Sequence, residues 1–176
     1  VAGHLRPIPR YRSKFLTSRL AKTLFSANLT GGEENMGFPE KITIDRHTII
    51  IIPRYCETDQ AGVVHHTVYP IWFEMGRTEL LRANGLPYSE LEKAGIYFVV
   101  SELNIKYHRP TLYDENLELT TICSNITNAR VEHSYSLRRK NTHVLLAEGK
   151  STLACVDGRG KVRRMPTFMY PATVGS

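Results

Sequence analysis

The sequence predicts an α+β fold in which one long antiparallel sheet wraps around a central helix. Three observations predict it. Val68–Ala83 carries apolar residues around well over half of its circumference, so it reads as a buried helix rather than a surface one. From Val99 onward the chain alternates apolar and polar residues with period two. Short turns join the strands defined in this way, and short turns force antiparallel pairing. A buried helix and a long sheet satisfy one another when the sheet curls about the helix.

The elements follow in chain order. Residues 1–30 are rich in Arg, Ser and Thr and hold no acid. Leu16, Leu20 and Leu24 would share one side of a weakly amphipathic helix over residues 13–29. The composition is similar to that of an organellar transit peptide, but a loose extension is the expectation, as for many terminal segments. Residues 30–39 form a linker by their Gly, Asn and Pro content. The expected organisation is an extension and linker over 1–40, one folded body over 41–170 and a short tail over 171–176.

Residues 47–55 are β-branched and aliphatic and predict a strand. Residues 55–66, with Gly62 and several polar residues, predict a loop. The buried helix follows. Pro70, which has no N–H, is tolerated only in a first turn, so the helix starts near Thr67, a fair N-cap. Asn84-Gly85 stops it, Gly supplying the left-handed cap. Residues 89–94 predict a short helix, with Ser89 and Glu92 spaced as a capping box and Gly95 as the stop. Val99, Leu103, Ile105 and Tyr107 are expected on one face of the first long strand. Leu117, Leu119, Thr121 and Cys123 share a face of the next. Residues 131–139 and 144–156 continue the series, with a turn at 157–160 and a short last strand near 161–164.

The net charge of +6 lies on the extension. Residues 1–32 hold six basic residues, and the remaining 17 balance all 17 acidic residues of the chain. The body has no basic stripe that would neutralise phosphates over a wide face, so nucleic acid is not an expected partner. The longest apolar run, residues 49–52, is far short of a membrane span. Three scattered cysteines, Cys56, Cys123 and Cys155, with no C-x-x-C, suit a reducing cytoplasm rather than a disulfide framework or a zinc site.

Chemistry concentrates between Tyr55 and Tyr69. Asp59 lies on a Gly-containing loop directly before the buried helix. The free N–H groups and the positive end of the helix dipole stand just beyond it. A carboxylate beside such an oxyanion hole suits acyl transfer. The run D-x-x-G-V-V-H-H-x-x-Y, followed by W-F-E-x-x-R-x-E-L-L, resembles the hotdog-fold acyl-CoA thioesterases of the 4-hydroxybenzoyl-CoA and Tol-Pal-associated branch. The resemblance covers roughly residues 45–168, including K-Y-H-R-P at 106–110 and D-G-R-G-K-V-R-R-M-P at 157–166.

That resemblance implies roles. Asp59 would be the catalytic carboxylate, as nucleophile or as general base for water. His66 would polarise the thioester carbonyl through its backbone N–H, with its imidazole as an assistant. Gly62 would let the loop backbone approach the substrate. His65 and Tyr69 would line the substrate site, Tyr69 as a pocket wall. Arg130, with Arg138 and Arg139 behind it, would meet the phosphates of coenzyme A. The site would be completed across a homodimer, itself paired into a homotetramer. No cofactor and no metal are expected.

Other readings of the residues are weaker. Two adjacent histidines lack the further convergent donors a metal needs. Cys56 as nucleophile would need a matched base, and the family uses Asp. Glu57 reads as solvated or loop-bracing, and Glu74 with Arg77 as a pair on the helix. A hotdog enoyl-CoA hydratase would show D-x-N-P-x-H, and here Asn-Pro is absent. A non-enzymatic acyl-CoA sensor would use the basic extension to reach DNA or a membrane.

Overall fold

The computed structural model describes residues 38–170, so the amphipathic helix expected at 13–29 and the tail at 171–176 lie outside it. Within it, Phe38 already packs on Phe168, with ring centroids 4.9 Å apart, ahead of the boundary expected at 41.

Five strands, β1 (Arg46–Ile51), β2 (Tyr97–Tyr107), β3 (Leu117–Ile126), β4 (Arg130–Arg139) and β5 (Leu145–Val156), form one sheet in the order β1-β3-β4-β5-β2. Every neighbouring pair is antiparallel. The helix α1 (Val68–Ala83) lies against the β1–β3 side, and a short helix α2 (Tyr88–Lys93) follows it. The α+β fold with a long antiparallel sheet around a central helix is as predicted.

The close seat of α1 depends on two glycines. A Cβ on Gly76 would lie inside contact distance of Thr121 Oγ1 and press on Leu119, and one on Gly149 of β5 would strike the Phe73 ring. Phe73 can therefore lie flat on Tyr135, with centroids 4.3 Å apart and planes within 1°. Trp72, Phe73, Leu117, Leu119, Leu137 and Leu146 fill this core. A second cluster, with Ile42, Leu86, Leu91, Val131, Leu153 and Met169, sits under α2 and the β2 start.

Several boundaries differ from expectation. β1 ends at Ile51 rather than 55, because Pro53 has no N–H for a neighbouring strand and residues Tyr55–Glu57 tighten into a 3-10 turn. Ser89 does not cap α2: Pro87, at φ −59°, takes the cap position and leaves Ser89 inside the helix. Val99 and Leu103 do not share a face. An irregularity between Val100 and Glu102 pairs Val99 with Ala154 but Leu103 with Ser151, and the extra residue turns the strand over. The last strand reduces to a single bridge between Val156 and Val162.

The register also fixes the two ends of the sheet. Ile51 faces Leu117, which faces Arg139, and Tyr107 faces Ala147. The N-terminus of α1 opens at this end, where Tyr107 reaches His66.

Candidate active site

The loop between β1 and α1 is held from both sides. At its start Glu57 is buried. It accepts the Arg54 N–H at 2.7 Å, the Arg54 guanidinium at 2.8 Å and the Trp72 indole N–H at 3.3 Å. Burial alone would raise its pKa, but these donors and the Arg54 charge hold it below the ordinary carboxylate value. Glu57 is therefore the loop brace, not a solvated residue. At the other end the Val64 N–H donates to the Thr111 carbonyl and the His65 N–H to the Glu57 carbonyl.

Between these anchors the chain turns tightly. The Gly62 N–H donates to the Asp59 carbonyl, and the Asp59 N–H to the Val63 carbonyl. Gly62 sits at φ +74°, a conformation that costs a side-chain-bearing residue strain. Asp59 Oδ1 accepts the Ala61 N–H at 2.8 Å, which orients the carboxylate. Among the described residues no donor is bonded to Oδ2.

Thr67 occupies the N-cap of α1, as expected, but its hydroxyl does not cap the helix. It bonds instead with His65 Nδ1 at 2.8 Å. The His65 and His66 rings lie 4.2 Å apart. The His66 carbonyl is taken by the Tyr107 hydroxyl at 3.0 Å, while its N–H has no acceptor among the described residues. The result is a helix start with an unclaimed amide donor and a carboxylate one tight turn away. Such a start favours negative charge.

The structure brings Asp59, Gly62, His65 and His66 together on this loop. Tyr69 is close by but buried. Its hydroxyl donates to Thr111 Oγ1, and its ring meets Tyr107 edge-on, so it ties α1 to the segment after β2. Arg130 stands elsewhere. It pairs with Ala154, which pairs with Val99, placing it at the opposite end of the sheet from Asp59 in the same chain. Over the ten residues of β4 the separation is roughly 30 Å. Arg138 and Arg139 lie at the Asp59 end. Arg139 is held by Glu115 at 2.7 Å, and the Arg138 guanidinium donates to the His143 carbonyl. Glu74 and Arg77 form the pair expected of them, 3.1 Å apart.

The sequence reading missed Tyr107 and Thr111 as supports. The K-Y-H-R-P run was the signal available for Tyr107, and Thr111 directly follows it. It also missed a buried polar group beside α1, where Tyr135 and Ser151 bond at 2.7 Å next to His133. Among the described residues no three His, Cys, Asp or Glu side chains are grouped to hold a metal, and no helix is long and apolar enough to cross a membrane.

A helix wrapped by a five-stranded antiparallel sheet, with a carboxylate on the loop before its N-terminus, defines a hotdog-fold hydrolase of the thioesterase class. The thioesterase-like superfamily matches residues 54–172, and the chain belongs to that family. It is 36% identical over 121 residues to the acyl-CoA thioesterase YbgC of Haemophilus influenzae, covering 68% of this chain and 85% of that relative. It is 25% identical over 167 residues to the chloroplastic acyl-acyl carrier protein thioesterase ATL2 of Arabidopsis thaliana, covering 95% of this chain and 81% of that relative. Among solved structures it is similar to the DHNA-CoA thioesterase of Staphylococcus aureus, with a TM-score of 0.65, 29% identity, and coverage of 68% of this chain and 80% of that one.

Proposed function

We propose that the protein hydrolyses an acyl-CoA thioester to a free acid and coenzyme A, with Asp59 and His66 as the reacting centre. The observation that carries the reading is the pairing of an oriented Asp59 carboxylate with the unclaimed His66 N–H at the start of α1. The thioester carbonyl oxygen lies against that N–H, where charge develops as the carbon becomes tetrahedral. Asp59 then either takes a proton from the attacking water, or attacks the carbon itself to give an anhydride that water opens. In both routes the C–S bond breaks, the acyl carbon gains the water oxygen, and the sulfur leaves as thiolate or, with the proton, as thiol. Gly62 and His65 shape the approach, and Tyr69 holds the wall behind them.

The test is Asp59→Asn in a free-thiol release assay across an acyl-CoA panel. Turnover should fall on the order of 100- to 10,000-fold with an unchanged melting temperature. Near wild-type turnover would overturn the assignment. Loss of enoyl absorbance with crotonyl-CoA would favour a hydratase instead, and tight acyl-CoA binding without thiol release would favour a sensor.

A homodimer formed through β2 belongs to this reading. β2 is an edge strand of 11 residues, with Val99, Leu103 and Tyr107 exposed in the single chain. An edge of that length invites pairing with a second copy. Antiparallel β2–β2 pairing would bring Arg130 of the partner subunit toward the Asp59 end, which suits a contact to the coenzyme A phosphates. Pairing of two dimers would give the tetramer expected from the resemblance.

The carrier and compartment have two readings. Three free cysteines suit a reducing compartment, and the cytoplasm is the one proposed. The match to ATL2 runs into the arginine-rich N-terminal stretch, which favours an acyl carrier protein in a plastid as the second reading. Matched acyl-CoA and acyl carrier protein esters, together with the location of a full-length fluorescent fusion, separate the two.

A further inference from the structure

Every polar group of Glu57 is in use. Its N–H donates to the Arg54 carbonyl, and its carbonyl accepts the His65 N–H. Its carboxylate takes two donors from Arg54 and the indole N–H of Trp72. The ion pair is lopsided: the Glu57 side chain is 7% exposed and that of Arg54 70%. A buried ion pair adds little net stability over apolar packing of similar volume. A carboxylate held there therefore serves geometry, and the geometry leads to His66.

The peptide group between His65 and His66 is planar, so its C=O and its N–H point in opposite directions. The His65 carbonyl accepts the Val68 N–H at 3.0 Å, at the start of α1. That bond aims the His66 N–H, in the same plane, out of the helix start. The peptide groups on either side are pinned as well. The His65 N–H is held by the Glu57 carbonyl at 2.9 Å, and the His66 carbonyl by the Tyr107 hydroxyl at 3.0 Å. Of these holds, the one from Glu57 comes from the loop that carries Asp59, two residues further on. It is also tied to α1 itself, because Trp72 lies about one turn beyond Val68. One side chain thus sets the helix start against the catalytic loop.

Resting on the thioesterase reading, we propose that Glu57 is a positioning residue for the reaction: locked by Trp72 and Arg54, it aims the His66 N–H relative to Asp59 through its own backbone carbonyl. Being buried, it touches no substrate. Its loss leaves the oxyanion donor present but misdirected, and a displacement of about 1 Å in such a group can cost on the order of 100-fold in rate.

The experiment uses the full-length protein, an acyl-CoA substrate and two unreactive analogues of it. One is a ketone, in which CH2 replaces the thioester sulfur and the carbonyl stays. The other is a thioether, which keeps the sulfur and lacks the carbonyl oxygen. Glu57→Gln preserves the shape of the side chain and removes its charge. It should lower kcat about 10- to 100-fold with KM changed by less than about twofold. Ketone affinity should weaken about three- to tenfold, and thioether affinity should stay unchanged. Trp72→Phe removes the indole donor and leaves a ring in the core. It should show the same split to a smaller degree, and it carries the experiment if Glu57→Gln does not fold. Both changes act through one carboxylate, so the double variant should match Glu57→Gln in kcat within about twofold. A wild-type kcat in the variants overturns the proposal. So does equal weakening of both analogues, the mark of a loop that has merely loosened. If the wild type releases no thiol from any ester, the thioesterase reading falls and the proposal with it. If the wild type is active and the variants match it, only the role of Glu57 falls.

Discussion

Glu57 sits two residues before Asp59, and the two carboxylates have opposite surroundings. Glu57 is enclosed and bonded to three donors, whereas Asp59 is half-buried and its carboxylate is bonded to one N–H. The sequence left Glu57 as either solvated or loop-bracing; burial under Trp72 makes it the brace. His133 is the other buried ionisable side chain with a large consequence. Its pKa is about 4 in the fold and about 6.5 in the unfolded chain. Between those values the unfolded state binds more protons, so stability falls as pH drops. The contribution is complete above pH 6.5, declines by about 1.4 kcal/mol per pH unit through the window and is gone below pH 4. Urea unfolding from pH 7 to 4 should show this slope in the wild type, and it should be flatter by that amount in His133→Leu. The grouping of Asp59, Gly62 and His66 on one loop was legible because they are neighbours in the chain. His133, Tyr135 and Ser151 were not, because a strand pattern gives a face but not what converges on it from another element.

Helix α1 runs from Val68 to Ala83 as read from Pro70 and Asn84-Gly85, since both ends are set by local backbone chemistry. Asn84 adds what the sequence did not announce: its side-chain oxygen accepts the Thr43 and Ile44 N–H groups, pinning the chain before β1 to the helix end. The spacing of the helix from the sheet was equally hidden. Gly76 in a helix interior reads as a weakness of about 1 kcal/mol relative to Ala. Here the added methyl would meet Thr121 Oγ1, so Gly76→Ala should lower stability by about 1–3 kcal/mol despite the better propensity. Gly76→Ala combined with Thr121→Ala should recover much of the loss, and a double-mutant cycle by denaturant melting checks it. Ser89 and the turnover in β2 at Ser101 mark the limit of pattern reading. A capping box and a period-two run are short signals that a proline or one extra residue can displace.

On the scale of the whole molecule, the distribution of charge and an open sheet edge were plain in the sequence, but not that β2 forms such an edge. β2 is an edge strand, and its Leu103 and Tyr107 are partly exposed although Tyr107 also meets Tyr69 of α1. Leu103→Lys should favour monomers in sedimentation velocity and lower thiol release by at least tenfold at equal protein concentration. Retained turnover in a monomeric variant would remove the partner subunit from the site. Removal of residues 1–32 should leave turnover unchanged, since the family match starts at residue 54.

Tyr107 gives that edge a second meaning. Its ring stands on the exposed strand, and its hydroxyl holds the carbonyl of His66, the residue whose N–H has no acceptor among the described residues and is proposed to meet the substrate. In the proposed dimer, assembly and substrate binding thus meet at one residue, through the two successive peptide groups of His66, and thermodynamic linkage makes their effects reciprocal. Dilution below the dimer dissociation constant should weaken substrate affinity, and saturating substrate should strengthen the dimer by the same factor. Tyr107→Phe should uncouple the two, leaving a dimer whose association constant no longer responds to ligand.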